Sequence, residues 1–392
     1  MPSVAFYISG HGFGHASRQI EIINALAGRM SSSSAGPPAP RLATSTRSRS
    51  VPVAPAAVIV RTSAPRWLFD RTMRTPFLWF ERECDTGMVQ VDSLRLDEEA
   101  TVQRAAAFYS TFADRVAHDA AFLTAQQVQL VVTDAPPLAC AAAARAGIPS
   151  IVIANFTWDW IYEAYADRFN ADAPFVLPEI RDAYRRATRA WRLPMHGGFE
   201  AIDTVDDIPF VARHGRADLN REDVLAALDV PRDRPLALSS FSQYGVDGFD
   251  VSSLDCLDEW TVVTVGSDRP ATLPKGVAFV PESHIYDHGL GYEDLVAACD
   301  VVVTKPGYGI ISECIANDTA MLYTSRGHFR EYDVLVRDMP RYLRCAFIEQ
   351  ASLLAGRWLD KLDRILVSPP PPERPRTDGA DVAAGMITAA ID

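Results

Sequence analysis

Three stretches of this chain set glycine beside ionisable side chains. A backbone that must approach an anion, while neighbouring groups move a proton, needs that combination. The first is Gly10-His11-Gly12-Phe13-Gly14-His15, between the apolar run Val4 to Ser9 and a segment with Ile20, Ile23 and Leu26 on one helical face. Gly12 and Gly14 let backbone N–H groups come close to a phosphate, and the following helix N-terminus adds a positive field. The G-x-G-x-x-G dinucleotide spacing fails here, because His15 and Ala16 follow Gly14. His15 falls at the carboxyl edge of a sheet, where α/β proteins bind ligands. It either acts as a base or caps the helix. Asp134 follows the buried run Leu130 to Thr133. Parallel strands end on one rim, so this carboxylate can orient one nitrogen of His15 while the other takes a proton from an acceptor hydroxyl. It can also cap the helix that begins near Pro136, and the two roles are compatible.

The second stretch is sharper. Val301 to Thr304 runs into Lys305-Pro306-Gly307-Tyr308-Gly309 and then into a helix carrying Glu313. Lys305 supplies charge and the glycines allow close approach. Glu313 lies four residues beyond Gly309, on the same helix face, where it can accept from two ribose hydroxyls. The alternative is a glycine turn followed by a surface Glu. Two further segments share this rim. Ser240 to Gly245, containing Ser242 and Gln243, offers a hydroxyl and N–H groups to phosphate. Arg326 to Asp333, containing Glu331, offers carboxylates to sugar hydroxyls.

Alternating strands and helices must position these loops, so the expected class is α/β with parallel sheets. One series contains Val58 to Arg61, a helix over Thr101 to Ala125, a helix from Leu138 to Arg145 closed by Gly147, and Ile151 to Ala154. A second contains Leu236 to Phe241, Trp260 to Val265, Val277 to Val280, Val301 to Thr304 and Ala320 to Tyr323 as strands. The break lies near Asp203 to Pro209. Residues 1–205 then form one Rossmann-like domain and 206–372 a second, while 373–392 hold a short helix that packs on either. Segment 31–57, rich in Ser, Pro, Ala and Arg, reads as a mobile insertion.

Length fits two domains: 392 residues exceed one ordinary core. A formal charge of −12 disfavours nucleic acid as a partner. The basic cluster Arg181, Arg185, Arg186, Arg189 and Arg192 fits one helix face, either solvated or facing an anionic acceptor or membrane surface. The six cysteines show no metal-ligand or C-x-x-C spacing, which suits a reducing compartment. No apolar run reaches the ~18 residues of a transmembrane helix. A cytoplasmic protein, free or peripheral at a membrane, is expected. Trp158, Trp160, Tyr162 and Tyr165 form either an aromatic acceptor wall or buried packing.

On these motifs the chain resembles GT-B glycosyltransferases of the MurG-like and UDP-glycosyltransferase families, with two Rossmann-like domains facing each other across a cleft. The G-H-G-F-G-H-A-S-R opening and K-P-G-Y-G-I-I-S-E are also similar to the glycosyltransferase-like N-terminal half of plant L-arabinokinases. The resemblance implies His15 as base and Asp134 as its partner. It implies a donor site of Ser242 and Gln243 at phosphate, Lys305, Gly307, Tyr308, Gly309 and Glu313 along the diphosphate and ribose, and Glu331 at the sugar. Phe279-Val280-Pro281-Glu282 resembles the W-A-P-Q-like segment near the base. Ile310 stands where Ser or Thr is frequent, and Tyr332 replaces a usual Gln. The kinase loop P-x-x-x-G-L-S-S-S is absent, so sugar phosphorylation is not expected. The implied activity is inverting, metal-independent transfer from a nucleoside-diphosphate sugar, which serves as co-substrate without a further cofactor. A nucleotide-sugar 2-epimerase and a non-catalytic nucleotide-sugar-binding module are the alternatives.

Overall fold

A computed structural model describes residues 3–33, 57–241, 245–267 and 272–391. Strands β1 (Ser3–Ile8), β2 (Ala57–Thr62) and β3 (Phe77–Glu81) precede a small antiparallel hairpin, β4 (Val89–Gln90) and β5 (Leu96–Asp97). Then come β6 (Leu130–Asp134), β7 (Ser150–Phe156), β8 (Arg189–Gly197) and β9 (Val205–Asp207). Apart from the hairpin, these make one parallel sheet in the order β3-β2-β1-β6-β7-β8-β9. The second parallel sheet has the order β12-β11-β10-β13-β14-β15. Its strands are β10 (Leu236–Ser240), β11 (Thr261–Gly266), β12 (Val277–Pro281), β13 (Val301–Thr304), β14 (Ala320–Tyr323) and β15 (Cys345–Phe347). Helices cover both faces of each sheet, so β1, β6, β7, β13 and β14 are buried along their whole length and are mostly apolar.

The strand orders locate the site. Chain direction across the sheet reverses at β1/β6 in the first sheet and at β10/β13 in the second, and ligands bind where such a reversal opens a crevice. Ile8 pairs with Asp134, so the Gly10–His15 turn and Asp134 leave the sheet side by side. Ser240 pairs with Thr304, which brings the end of β10 beside Lys305. The two reversal points face each other. A Cβ added to Gly309 would lie 3.2 Å from the Cα of Gly14, so glycine on both sides permits this approach.

Several sequence expectations change. The helix expected over Thr101 to Ala125 is two, Glu98–Tyr109 and Phe112–Ala125. At the break, Ser110 Oγ and Thr111 Oγ1 donate to the carbonyls of Ala107 and Phe108, competing with the helical pattern. The arginine cluster is not one helix face. The helix Val176–Tyr184 holds only Arg181, whereas Arg189 and Arg192 lie on β8. Arg181 pairs with Glu163, Arg189 with Asp206 and Arg192 with Asp207, so no free basic stripe remains among them. The first helix, Phe13–Ser33, runs into the expected insertion, and β2 starts at Ala57; residues 34–56 lie outside the described residues. The last helix, Gly379–Ile391, packs on the first helix rather than on the second sheet. Among the described residues no helix is long and apolar enough to cross a membrane.

Candidate functional site

His15 stands in the first turn of its helix, 8% exposed, and lines a cleft of about 620 Å³ between the two sheets. Its Nδ1 lies 2.9 Å from Asp134 Oδ1. Arg18, three residues on and on the same helix face, donates to the same carboxylate: Nη2 to Oδ1 at 2.6 Å and Nε to Oδ2 at 3.0 Å. Burial pushes the Asp134 carboxyl up, but Arg18 and then His15 more than offset it, so it is held below its ordinary value. An ionised carboxylate only accepts hydrogen bonds, so the proton of a neutral His15 belongs on Nδ1, which leaves the Nε2 lone pair free. Both Asp134 oxygens are thereby used. The helix Pro137–Ala146 has Pro136 as its N-cap, with no side-chain cap bond, so Asp134 is not a cap. The backbone beside it is strained, with Ala135 in the left-handed region at φ 68°.

From Arg18 the polar chain crosses the cleft. Arg18 Nη1 donates to Asn155 Oδ1 at 2.9 Å, and Asn155 Nδ2 donates to Glu331 Oε1 at 2.7 Å. Glu331 faces Arg326 at 3.9 Å. His11, beside the same opening, stacks on Phe329 with centroids 6.1 Å apart and meets Trp158 edge-on at 5.6 Å. Burial, then His15, Arg326 and Lys305, hold its imidazole well below the ordinary value, so it forms a neutral wall.

The opposite wall is the start of the helix Tyr308–Ala316, with Gly307 at its N-cap. Gly307, Gly309 and Lys305 all line the cleft, and with the helix N-terminus they form an anion cradle. Burial and then Arg326 push the Lys305 ammonium down to about 7. Burial also lowers Arg326. A diphosphate needs the protonated lysine, so its binding takes up a proton near neutrality. The affinity for a nucleoside-diphosphate sugar, whose phosphates do not titrate in this range, should fall by roughly tenfold or more from pH 6 to pH 9. Calorimetric titration across that range checks it. Lys305→Met should flatten the profile, and a flat wild-type profile would refute the cationic role.

Tyr308 is nearly buried and lies between the halves, with the Arg18 guanidinium 4.9 Å from its ring centroid. Glu313 lines the cleft but is not free: Arg213 Nε donates to its Oε1 at 2.8 Å, and Arg213 Nη1 reaches Glu293 at 3.0 Å. Burial raises the Glu313 carboxyl, partly countered by Arg213. Ser242 and Gln243 lie outside the described residues. Val280 is fully buried in the core and Phe279 is half-buried behind Gly266, so of that segment Glu282 is the residue that lines the cleft. The W-D-W-I-Y-E-A-Y aromatics do not form an acceptor wall. Trp158, Tyr162 and Tyr165 are buried, and Trp158 Nε1 donates to the buried Asp85 at 2.7 Å.

Sequence reasoning passed over Arg18, Asn155 and Arg213. Arg18 was visible inside the opening motif, one helical turn from His15. Asn155 was visible as a polar residue near the end of an apolar strand. Arg213, in the segment joining the two sheets, carries no local signal.

No protein-family model matches the chain. A curated relative is the L-arabinokinase of Arabidopsis thaliana, 26% identical over 390 residues, which cover 98% of this chain and 34% of that protein. The chain thus spans about a third of the length of the relative it matches. Among solved structures, the calicheamicin glycosyltransferase CalG4 superposes with a TM-score of 0.64 at 16% identity, covering 99% of this chain and 98% of that one. The chain has the GT-B fold. UGT2 of Phytolacca americana, complexed with UDP-2-fluoro-glucose and pterostilbene, superposes with a TM-score of 0.57 at 13% identity over 100% of this chain and 94% of its own. The glycosyltransferase VinC, in complex with DTDP, gives 0.55 at 15% identity over 100% and 95%.

Proposed function

We propose that the chain is an inverting glycosyltransferase that moves a sugar from a nucleoside-diphosphate sugar to an acceptor hydroxyl or amine. The observation that carries this reading is the buried His15–Asp134 pair facing the Lys305–Gly309 cradle across one cleft. His15 Nε2 takes the proton of the acceptor. The acceptor atom attacks the anomeric carbon from the face opposite the diphosphate, and the bond from that carbon to the diphosphate oxygen breaks. Lys305 and the N–H groups at the start of Tyr308–Ala316 receive the leaving charge. Because protein groups supply this positive charge, we propose that no Mg²⁺ is needed.

The test is to incubate the chain with a panel of nucleotide-sugars, water serving as acceptor where no other is known, and to follow nucleotide release. One donor should release its nucleoside diphosphate at an EDTA-insensitive rate, and early NMR spectra should show the sugar with inverted anomeric configuration. Retention of configuration, or loss of the rate with EDTA, would contradict the respective part of the reading. Release of an isomerised free sugar would identify a 2-epimerase. The likeness to one third of a protein named as a kinase favours a second reading, a module that binds a nucleotide-sugar without turnover. Tight binding with no release from any donor would establish it.

A further inference from the structure

The cleft is also lined by Glu282, a carboxylate that the transfer step does not use. We infer that this part of the cleft selects a guanine nucleotide, with Glu282 accepting from the N1–H and the exocyclic amino group of the base. This inference rests on reading the cleft as a nucleoside-diphosphate-sugar site.

With the diphosphate on the Gly307–Gly309 turn and the sugar toward His15 and Glu331, the nucleoside must extend past Glu313. There the cleft is lined by Glu282 and Tyr286, four residues apart and so on one face of the helix Glu282–Asp287. Trp67 reaches in from the other half, its ring centroid 6.0 Å from that of Tyr286, and Phe13 backs it edge-on at 5.7 Å. Aromatic rings beside a half-buried carboxylate make a place for a planar heterocycle with N–H groups on its edge. Among the described residues Glu282 has no hydrogen-bond donor. Burial pushes its carboxyl up, and no cation among the described residues offsets that.

The chemistry of the bases then decides. An ionised carboxylate offers acceptors only. Guanine presents two parallel N–H donors on its pairing edge, which a carboxylate takes bidentately. Uracil and thymine present one N–H between two carbonyl oxygens, and those oxygens repel a carboxylate. Adenine and cytosine each present one amino group beside a ring acceptor.

The experiment is calorimetric titration of the full chain with GDP, UDP, ADP and CDP, and of the isosteric Glu282→Gln variant after its melting temperature confirms folding. GDP should bind about 10- to 100-fold tighter than UDP, the discrimination expected of one good bidentate base contact. Glu282→Gln should remove most of that preference while changing UDP affinity little. UDP binding as well as or better than GDP overturns the inference and leaves the nucleotide-sugar reading intact. A preference for GDP that survives in Glu282→Gln removes Glu282 from the base contact. Binding of none of the four removes the nucleotide-sugar reading itself, and this inference with it.

Discussion

Replacing His15 with alanine lowers the transfer rate by about 10²–10⁴-fold, the usual contribution of a positioned general base, and leaves nucleotide-sugar affinity within about threefold. The affinity is spared because the diphosphate cradle is built from the other wall, from Lys305, Gly307 and Gly309. The fold is spared because Asp134 keeps a counter-charge in Arg18 when the imidazole is gone. Steady-state kinetics, calorimetry and a melting curve on one preparation separate the three quantities. A folded variant that has lost its affinity would make His15 a binding residue. A folded variant with an unchanged rate would leave the base to be found elsewhere on the rim. The cradle adds a second check: Lys305, down at about 7, loses its proton as pH rises past neutrality, so the wild-type kcat/KM should fall on the alkaline side.

How far this arrangement can be read from the chain depends on whether its parts are local. Gly14 and His15, or Gly307 and Gly309, sit where a buried strand stops and a helix starts, and each junction is written in consecutive residues. That is why the parallel strands, the two loops and the His15–Asp134 pairing were legible. Strand β8 was not. Its buried positions from Trp191 to Gly197 alternate with period two, yet the arginines of that region also fit a helical spacing, and a short polar stretch supports both periods. Glu313 shows the larger difficulty. It was legible as a carboxylate on the helix that follows Gly309, but the guanidinium that neutralises it comes from Arg213, 100 residues earlier in the segment joining the sheets. No local pattern announces a partner fixed only by how the halves meet. The Arg18–Asn155–Glu331 chain is of the same kind, with two neighbours that are distant in sequence and ordinary one by one. Glu331, expected at the sugar, thus stands in a network that also reaches Asp134.

Asp134→Asn, which keeps the shape and removes the charge, destabilises the protein by about 3–5 kcal/mol at neutral pH, the cost of leaving one member of a buried ion pair uncompensated. The pair at stake is with Arg18, since the Asp134 side chain is wholly buried and that of Arg18 only 4% exposed. Urea denaturation of both proteins gives the difference as a shift in midpoint at constant slope. Two features distinguish this cause from a lost surface contact. The difference persists in high salt, because a buried pair is little screened. It also follows pH with a definite sign. Arg18 and His15 hold the Asp134 carboxyl below its ordinary value. Its stabilisation is therefore fully present above the unfolded-state value of about 3.9 and is lost only as pH falls through the lower folded-state value. The gap between wild type and variant should stay level across neutral pH and close only in acid. In an Arg18→Met background the same Asp134→Asn change should cost far less, because the cation it leaves stranded is no longer there. An equal cost in both backgrounds would mean that the stability comes from the His15 contact or from the strained turn at Ala135. Asp134 would then serve the base directly, without the arginine that now shares its charge.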